Sequence, residues 1–462
     1  MNNIILNSDS YKYSMHLQYP PGTETVFSYI ESRGGDWDTT VFFGLQAFIK
    51  EYLTVPVTMA QVEEAKSIIE AHGEPFNYEG WKYIVEHHQG WLPIKISAVP
   101  EGTVIPTKNV LATIENTDPK CFWLTTFLET ALLRAIWYPT TVATQSYHIR
   151  QLILKYLEDT GDSNLIDFKL HDFGARGVSS FESAGIGAAS HLVNFLGTDT
   201  ITGLMFVRRY YGADIAGYSI PAMEHSTVTS WGRENENAAY SNMLDHYAKA
   251  GKILACVSDS YNIYNAVDHI WGEELKDKVI SSGATVVIRP DSGDPATVVV
   301  NVVRKLWDKF GGTFNDKGFR VLHPSVRVIQ GDGINYASIN SILFTLKLAG
   351  FSADNVAFGM GGALLQGINR DTLRFAMKCS AIKVNGEWRD VYKDPITDSG
   401  KTSKKGLLKL VRENDTFTTV NHYTNSFDTL TNELGTVYLN GKLVVDDNFE
   451  NIRSRARQNG KI

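Results

Sequence analysis

Four short apolar runs in the second half of the chain each end on an acid or a glycine cluster. They read ACVSDSYN (255–262), VVIRPDSGDP (286–295), VRVIQGDGIN (326–335) and VAFGMGG (356–362). The residues that end them are Asp259, Asp291, Asp332 and Gly361. Intervals of about 30 to 40 residues suit a strand, a helix and two loops. The pattern therefore predicts repeated βα units, which form parallel sheets or (β/α) barrels with active sites at the carboxyl ends of the strands.

These polar strand ends have two readings. Asp and Gly suit turns, so each could simply end a strand. A row of carboxylates at one edge could instead hold a polyhydroxylated, phosphorylated and metal-bound substrate. Four such ends in series favour the second reading.

Composition narrows the class of protein. The chain has 462 residues, enough for a large core and two domains. Its formal charge of −7 argues against a general nucleic-acid binder. The three cysteines, Cys121, Cys256 and Cys379, are far apart and lack CxxC spacing, which argues against a disulfide framework and a structural zinc site. No signal peptide or membrane-length apolar run is present, so we expect a cytoplasmic protein.

The pattern changes along the chain. Residues 1–145 mix short strands with helices, including a predicted helix that begins after Thr58, and residues 92–116 are typical of β structure. A helix is predicted after Ser146, and βα alternation dominates residues 146–382. Residues 383–462 return to β character, with Asn-Gly hairpin signals in VNGEWRDVY and YLNGKLVV. We expect an α/β barrel with a second, β-rich domain built from the N- and C-terminal segments.

Two apparent nucleotide motifs are weak. Gly185, Gly187 and Ser190 form an imperfect GxGxxG within a run of small residues, which favours helix packing. LVVDDN (443–448) resembles the acid pair of a type I phosphoribosyltransferase, but no phosphate loop follows, so we interpret it as structural.

Three loop segments hold candidate site residues. HDFGARG (171–177) places a His, an acid, an aromatic and an Arg between glycines, which is typical of a ligand loop or a tight turn. His225 lies in a polar stretch, and the sequence by itself favours a structural role over a catalytic one, as for most single histidines. Asp199, in GTDT, suits a helix cap or a site residue equally well.

Longer strings identify a family. The chain closely resembles nicotinamide phosphoribosyltransferases nearly end to end, through NSDSYKYSMHLQYPPGTE, ENTDPKCFWLTTFLET, WYPTTVATQS, KLHDFGARGVSS, ASHLVNFLGTDT, IRPDSGDP, VIQGDG and KDPITDSGKTSKKG. The resemblance implies a (β/α) barrel of the type II phosphoribosyltransferase kind with a β-rich domain, in a homodimer that shares its active sites. It implies transfer of phosphoribosyl from phosphoribosyl pyrophosphate to nicotinamide, giving nicotinamide mononucleotide and pyrophosphate in NAD salvage.

The resemblance also implies residue roles. Phe173 would stack on the nicotinamide ring with Tyr11 of the partner subunit, and Asp199 would accept a hydrogen bond from the carboxamide. Asp291 and Asp332 would lie near the ribose, and Asp259 near pyrophosphate, with Mg²⁺ bound by Asp259 and Asp291. His225 would be phosphorylated during coupled ATP hydrolysis. The other substrate-binding residues would be Arg289, Ser219, Arg176, Lys401, Gly331, Gly361, Gly362, the partner's Arg33, the partner's Arg370 and the partner's Lys378.

The charge of Asp199 bears on whether the site binds nicotinamide or nicotinate. A nicotinate carboxylate about 4 Å away would be repelled by about 4 kcal/mol at an effective dielectric near 20, roughly three powers of ten in affinity. Asp199 is therefore predicted to favour the amide over the acid.

Three residues depart from the family's usual pattern: Ala175, Ala255 and Met360 replace a Tyr, a Ser and a Ser. They put ATP affinity and coupling in doubt but leave the reaction class intact. The alternatives are a nicotinate phosphoribosyltransferase, a barrel lyase or isomerase, and a non-catalytic ligand-sensing relative. Lys404 and Lys405 suit a solvated basic loop as well as a phosphate site.

Overall fold

The computed structural model describes residues 3–397, 402–422 and 430–458, and these divide into two compact units. We call Met1–Thr144, Val207–Ala213 and Ile368–Ile462 the β-rich unit. We call Gln145–Phe206 and Asp214–Gly367 the barrel unit.

The strands of the described residues are numbered in chain order. They are β1 (Thr23–Ser32), β2 (Thr39–Val41), β3 (Ile94–Ala98), β4 (Val104–Pro106), β5 (Val110–Asn116), β6 (Leu170–Asp172), β7 (Gly197–Thr198), β8 (Ile253–Val257), β9 (Thr285–Arg289), β10 (Gly312–Phe314), β11 (Arg320–Leu322), β12 (Val326–Gln330), β13 (Val356–Met360), β14 (Phe375–Val384), β15 (Glu387–Asp390), β16 (Leu408–Glu413), β17 (Thr416–Asn421), β18 (Gly435–Leu439) and β19 (Lys442–Leu443).

The helices are numbered in the same way. They are α1 (Leu45–Phe48), α2 (Met59–His72), α3 (Tyr78–His87), α4 (Leu124–Phe127), α5 (Glu129–Thr160), α6 (Phe181–Leu192), α7 (Ile201–Tyr211), α8 (His225–Thr229), α9 (Glu236–Tyr247), α10 (Ile263–Asn265), α11 (Lys276–Ser282), α12 (Pro295–Phe310), α13 (Tyr336–Leu348), α14 (Gly362–Leu365) and α15 (Phe449–Gln458). Short 3₁₀ helices lie at Ile4–Leu6, Ser10–Lys12, Met15–Leu17, Pro119–Cys121, Ser163–Phe168, Ala175–Gly177, Arg233–Asn235, Ala353–Asn355 and Arg370–Thr372, and π-helical turns at Ile49–Leu53 and Ala266–Glu274.

The β-rich unit is built on an antiparallel sheet of seven strands in the order β15-β14-β1-β5-β3-β18-β19. Both predicted Asn-Gly hairpins are confirmed. Asn385 and Gly386 join β14 to β15 with positive φ, and Asn440 and Gly441 join β18 to β19 in the same way. Positive φ at both central residues gives a twist that matches the flanking strands, so these hairpins are fixed by local sequence.

The core of this unit is apolar and rich in aromatic rings. Trp81 of α3 packs edge to face with Phe127 of α4 and with Trp123, which precedes α4; the ring centroids are 5.0 to 6.0 Å apart. The predicted capping box that begins α2 is confirmed, because Thr58 and Gln61 satisfy each other's backbone N–H groups.

The barrel unit contains a parallel sheet in the order β7-β6-β13-β12-β9-β8. Residues 218–223 bond to both of its edges: Thr198 N–H donates to Tyr218 O at 3.1 Å, and Met223 N–H donates to Ala255 O at 3.0 Å. One short segment can reach β7 and β8 together only if the sheet curls back on itself. The unit is therefore a parallel barrel closed by an irregular segment, which confirms the predicted α/β fold with a second β-rich part.

Helices connect the strands, as the sequence pattern predicts. Asp294 caps α12 through the Thr297 N–H, Pro295 occupies its first turn, and Val299, Val303 and Leu306 form its buried face. Gly185 and Gly187 lie inside α6, where a methyl group on Gly185 would be 3.3 Å from Thr202 O. This close approach to α7 confirms helix packing for the imperfect glycine motif.

Two element boundaries differ from the sequence interpretation. The helix predicted after Ser146 begins at Glu129 and runs through Pro139, and the division between the units falls inside it. Residues 368–382 belong to the β-rich unit, because β14 pairs with β1 over its whole length. Strand pairing over a long sequence separation leaves no local signal.

No helix among the described residues combines the length and the apolar character needed to cross a membrane.

We predict that Gly102→Ala destabilises the protein by about 1–3 kcal/mol more than Gly73→Ala. Both glycines have positive φ, so both substitutions strain the backbone. A methyl group on Gly102 would also lie 2.1 Å from Ile452 O, whereas nothing lies within 4 Å of one on Gly73. Thermal unfolding measures the difference, and equal losses would contradict the steric argument.

Candidate active site

The site lies at one edge of the parallel sheet. The four apolar runs form β8, β9, β12 and β13, which are adjacent and parallel, and β6 follows β13. Their carboxyl ends therefore meet at the same edge. Loops at these ends carry the residues that the sequence analysis singled out.

Phe173, Arg289 and Asp291 converge on two glycines. A methyl group on Gly359 would lie 1.9 Å from Phe173 Cε2, so the ring rests against the backbone of β13. One on Gly331 would lie 3.2 Å from Asp291 Oδ1, 3.6 Å from Phe173 Cε2 and 3.8 Å from Arg289 Nε. Side chains from the ends of β6 and β9 thus meet glycines at the ends of β12 and β13. A larger side chain at Gly331 would enter the space between them, whereas one at Gly359 would collide with the Phe173 ring.

Arg289 and Asp291 form a bidentate pair. Arg289 Nη2 donates to Asp291 Oδ2 at 2.8 Å, and Nε donates to Oδ1 at 3.3 Å. Both side chains are about one fifth exposed. The pair holds the carboxylate in a fixed orientation beside the aromatic ring.

An apolar layer lies beneath this group. Ala255, Val287 and Ile329, from three neighbouring strands, form a small buried cluster, and Phe173, Ile220 and Ala357 pack against it. Phe173 therefore joins a dry barrel interior to a polar rim, an arrangement that suits a flat aromatic ligand.

His225 is hydrogen-bonded to Asp259. The distance from His225 Nε2 to Asp259 Oδ1 is 2.8 Å, and Ser292 Oγ donates to Asp259 Oδ2 at 2.6 Å. The Asp259 side chain is 6% exposed and that of His225 45%. Since a carboxylate only accepts hydrogen bonds, Nε2 of His225 is the donor in this contact, and Nδ1 is the ring nitrogen left to face a ligand.

Asp199 and Ser219 form a second polar group. Ser219 Oγ donates to Asp199 Oδ1, and the Asp199 N–H donates to Asp172 O at 2.9 Å. Asp199 is exposed, and its second carboxylate oxygen accepts no hydrogen bond from the described residues. It is available to a ligand donor.

Asp172 holds the loop that carries Phe173. Its carboxylate accepts hydrogen bonds from Gly174 N–H at 2.7 Å and from Thr198 Oγ1 at 3.0 Å. The side chain is fully buried, and burial raises the pKa of Asp172 above its usual value. The Phe173 N–H donates to Met360 O at 2.9 Å. These bonds tie the loop to β7 and β13.

The glycine loops after β6 and β13 touch. A methyl group on Gly177 would lie 2.9 Å from Gly362 Cα. Gly361 precedes the short helix α14, and the neighbouring Arg176 is exposed. Backbone and guanidinium donors are therefore available together at this rim.

The backbone of Asp332, rather than its side chain, is held by a hydrogen bond. Gln330 Nε2 donates to Asp332 O at 2.9 Å, and the exposed Asp332 side chain makes no hydrogen bond within the described part of the chain. Its predicted contact with a sugar stays a prediction.

Four of the predicted residues lie in the β-rich unit. Tyr11 is 57% exposed, Arg33 Nε donates to Glu31 Oε1 at 3.2 Å, and Arg370 Nη2 donates to Asp371 Oδ1 at 3.3 Å. Burial lowers the pKa of Lys378; Glu129 opposes this effect, and Arg33 and Lys12 add to it. Lys12, Arg33 and Lys378 thus lie near the carboxylates of Glu31 and Glu129.

The fifth predicted residue of this unit, Lys401, lies outside the described residues.

The carboxylates expected to bind Mg²⁺ are already engaged. Asp259 accepts from His225 and Ser292, and Asp291 from Arg289. In the described ranges, neither belongs to a group of three His, Cys, Asp or Glu whose ligand atoms lie close together. Mg²⁺ usually binds through one or two carboxylates plus substrate phosphates and keeps several waters. Binding of a substrate-borne Mg²⁺ ion by Asp259 and Asp291 would require these hydrogen bonds to rearrange, and it stays a prediction.

Sequence reasoning missed several residues that position the site. They are His171, Asp172, Ser292, Gly359 and His191. His191 is fully buried, with Ser146 Oγ 2.9 Å from its Nδ1 and Gly197 O 3.1 Å from its Nε2, so it fixes β7 just before Asp199. Gly359 stands in the FGMGG string, which was a visible signal. His171 and Asp172 stand in the HDFGARG string, which was also a visible signal. His191 has none, because its partner Ser146 is 45 residues away.

Two of the three departures from the family pattern are buried. Ala255 belongs to the apolar layer, and Met360 is 2% exposed. Ala175 is exposed, on the loop after Phe173.

Comparison with known proteins identifies the family. The model of the nicotinate phosphoribosyltransferase (NAPRTase) family matches residues 168–441, and that of the nicotinamide phosphoribosyltransferase N-terminal domain matches residues 3–96. The chain belongs to this phosphoribosyltransferase family. A nicotinamide phosphoribosyltransferase of Xanthomonas campestris pv. campestris is 54% identical, over 99% of this chain and 98% of the relative. Another, of Acinetobacter baylyi, is 33% identical over 97% of this chain and 96% of its own.

Solved structures share the fold. The nicotinate-nucleotide pyrophosphorylase of Pyrococcus furiosus superposes with a TM-score of 0.65 at 14% identity, covering 99% of this chain and 96% of its own. The human nicotinic acid phosphoribosyltransferase superposes with a TM-score of 0.57 at 15% identity, covering 98% and 93%. The predicted fold of type II phosphoribosyltransferase kind is confirmed.

We predict that the free energy of unfolding of His191→Gln decreases less steeply than that of the wild type as the pH falls. Burial lowers the pKa of His191 to about 3. The unfolded chain binds a proton below about pH 6.5, whereas the folded protein resists it, so this contribution to stability is present above pH 6.5 and is lost as the pH falls toward 3. Thermal unfolding between neutral and mildly acid pH measures the slope. His246→Gln, at an exposed histidine, is the control, and an unchanged slope in His191→Gln would contradict the assignment.

Proposed function

We propose that the protein is a nicotinamide phosphoribosyltransferase, which transfers phosphoribosyl from phosphoribosyl pyrophosphate to the ring nitrogen of nicotinamide in NAD salvage. The observation that carries the proposal is the convergence of Phe173, Arg289 and Asp291 on Gly331 and Gly359 at the rim of the barrel. The 54% identity to a nicotinamide phosphoribosyltransferase, over nearly the whole chain, supports it.

The base would stack on Phe173. The ring is held against Gly359 below it and by the Phe173 N–H bond to Met360 O. Stacking contributes about 0.5–1.5 kcal/mol beyond area burial, so it holds a flat ring without deciding which one. Tyr11 of the partner subunit would cover the other face, as the family resemblance implies.

Asp199 would select the amide. Ser219 fixes one carboxylate oxygen, and the other is available to accept a hydrogen bond from the carboxamide NH₂. Nicotinate would bring a second negative charge to the same place. Their repulsion favours nicotinamide over nicotinate, the nearest rival substrate.

Asp291 would lie beside the reacting sugar carbon. Loss of pyrophosphate leaves an oxocarbenium-like ribosyl centre, which fixed negative charge stabilises. Arg289 holds Asp291 in place by two hydrogen bonds, so the charge requires little reorganisation. Asp332 would contact the ribose hydroxyls.

Cations and backbone donors would bind the phosphates. Arg176 and the glycines Gly361 and Gly362 lie together at the rim, and we assign them to phosphate contacts. Lys401, the partner's Arg33, the partner's Arg370 and the partner's Lys378 are assigned by resemblance, in a homodimer with shared sites. Mg²⁺ held near Asp259 and Asp291 would neutralise the departing pyrophosphate.

His225 would couple the reaction to ATP. Its Nδ1 lone pair would attack the γ-phosphorus of ATP, forming an N–P bond as the P–O bond to ADP breaks. Asp259 would stabilise the cationic ring from Nε2, in the way that a buried acid orients a catalytic histidine. Ser292, next to Asp291, links this pair to the sugar site.

The structure argues against a barrel lyase that uses a Schiff-base lysine. Burial lowers the pKa of Lys169 to about 7, a value that suits such a nucleophile. However, Lys169 Nζ donates to Ala353 O, Asp354 O and Val356 O, each at 3.0 Å, and it precedes β6 at the opposite end from the site. All three Nζ hydrogen bonds of Lys169 are therefore made to backbone carbonyls, so this lysine has a structural role.

The cytoplasmic location stays a prediction from the sequence.

One assay tests the reaction. The purified protein is given phosphoribosyl pyrophosphate and Mg²⁺ with nicotinamide or nicotinate, each with and without ATP, and mononucleotide is measured. We expect product from nicotinamide, increased by ATP. No product from nicotinamide would refute the proposal, and product from nicotinate alone would establish the rival activity.

Asp199→Asn is expected to reduce the preference for nicotinamide over nicotinate by at least about tenfold in kcat/KM, because it removes the charge that repels the acid. Asp277→Asn, which neutralises an exposed acid on α11, is the matched control. Steady-state kinetics with both bases measure the ratio. A ratio that stays at the wild-type value in Asp199→Asn would show that selection lies elsewhere.

His225→Ala is expected to abolish ATP hydrolysis while leaving ATP-independent synthesis of nicotinamide mononucleotide measurable. The reason is that the phosphorylated nitrogen is removed, whereas Phe173, Arg289 and Asp291 stay in place. ADP release and mononucleotide are followed in parallel, with His246→Ala as the control. ATPase activity at the wild-type level would refute the role of His225.

A further inference from the structure

A cluster of metal-ligating side chains lies in the β-rich unit. It consists of His88, Asp118 and Cys121, whose ligand atoms all lie within 4.8 Å of one another. His88 follows the last residue of α3. Asp118 caps the short 3₁₀ helix after β5, and Cys121 is its last residue. Residues about 30 positions apart are thus brought together by the tertiary fold.

The segment from Asp118 to Cys121 is a tight turn held by hydrogen bonds. The Cys121 N–H donates to Asp118 O at 2.9 Å, and the Lys120 N–H donates to Asp118 Oδ1 at 2.8 Å. Both side chains of the Asp-x-x-Cys string therefore start from one tight turn. The spacing between cysteines, which argued against a structural zinc site, cannot reveal a site of this composition.

The other Asp118 oxygen points to His88. The distance from His88 Nε2 to Asp118 Oδ2 is 2.8 Å, and Tyr83 OH donates to the same oxygen at 3.0 Å. The side chains of His88 and Asp118 are about one quarter and one fifth exposed, so solvent reaches them, whereas Cys121 is fully buried. A cavity of about 470 Å³, lined in part by Tyr83 and Lys120, opens beside this group.

From this geometry we propose that His88, Asp118 and Cys121 bind one Zn²⁺ ion. Imidazole nitrogen, thiolate sulfur and carboxylate oxygen together suit Zn²⁺, whereas Mg²⁺ and Ca²⁺ prefer oxygen ligands alone. Water completes the tetrahedron. Tyr83 OH and the Lys120 N–H orient Asp118 from outside the ligand shell.

The ion replaces the His88–Asp118 hydrogen bond with a coordination site. Ligands of a tetrahedral Zn²⁺ ion lie roughly 3.4 Å apart, so the His88–Asp118 contact widens by about half an ångström. Cys121 releases its thiol proton to solvent as its sulfur binds the metal. His88 gives up the Nε2 proton that it donates to Asp118, either to solvent or to Nδ1 of a neutral ring, so the Nε2 lone pair can bind. The carboxylate and thiolate then balance the charge of Zn²⁺. The bound ion ties the end of α3 to the turn after β5, next to the Trp81–Trp123–Phe127 cluster. It is independent of the transferase reaction.

Cobalt binding tests the proposal. The full chain is stripped with a chelator and titrated with Co²⁺ in excess Mg²⁺, which occupies the weak carboxylate sites. We expect a thiolate-to-Co²⁺ charge-transfer band that saturates at one equivalent and disappears on addition of Zn²⁺. Bound Zn²⁺ is expected to raise the apparent Tm, because it binds the folded state alone.

Substitutions locate the site. Cys121→Ser is expected to abolish the charge-transfer band, and Cys379→Ser, at another poorly exposed cysteine, is the matched control that keeps it. His88→Asn, at a partly exposed position, is expected to weaken Co²⁺ binding at least about tenfold. This second variant decides the question if Cys121→Ser fails to fold.

Three results would overturn the proposal. They are the absence of a charge-transfer band in the wild-type protein, a band that survives Cys121→Ser, and unchanged Co²⁺ affinity in His88→Asn. Each would mean that the cluster is only a hydrogen-bonded His88–Asp118 contact beside a buried cysteine.

Discussion

The parallel hydrogen-bond register of β6, β13, β12, β9 and β8 is the constraint on which the site depends. It places every loop that follows these strands at one edge, so side chains separated by more than a hundred residues become neighbours. Phe173, Asp259 and Asp291 meet there for this reason alone. The irregular segment at residues 218–223 completes the ring and brings Ser219 and His225 to the same edge.

At this edge, three carboxylates of the site already have hydrogen-bond partners within the protein. Arg289 holds Asp291, His225 and Ser292 hold Asp259, and Ser219 holds Asp199. Each carboxylate is oriented before substrate arrives, which suits a reaction that develops positive charge at a sugar carbon. The glycines have the opposite role. Gly359 lets the Phe173 ring lie against the backbone of β13, and Gly331 leaves room beside Phe173, Asp291 and Arg289, so residues without side chains shape the pocket as much as those with them.

Much of the fold could be predicted from local sequence. The four strands, the Asn-Gly hairpins and the Thr58 capping box follow from short patterns whose physical cause is local, such as positive φ or a cap hydrogen bond. The start of α5 at Glu129 and the pairing of β14 with β1 could not be predicted. A helix that continues through Pro139, and a strand whose partner is hundreds of residues away, are decided by packing.

The candidate site divides in the same way. The chain's own sequence determined which chemistry is available, because acids and glycines at strand ends, HDFGARG and the family strings specify a phosphoribosyltransferase. Only the tertiary structure decided which groups touch: Phe173 on Gly359, Asp172 under its loop, His225 on Asp259, and His88 beside Asp118 and Cys121. The physical reason is that residue types and their order are local properties, whereas a hydrogen bond or a coordination site requires a separation of a few ångströms that only the folded chain sets.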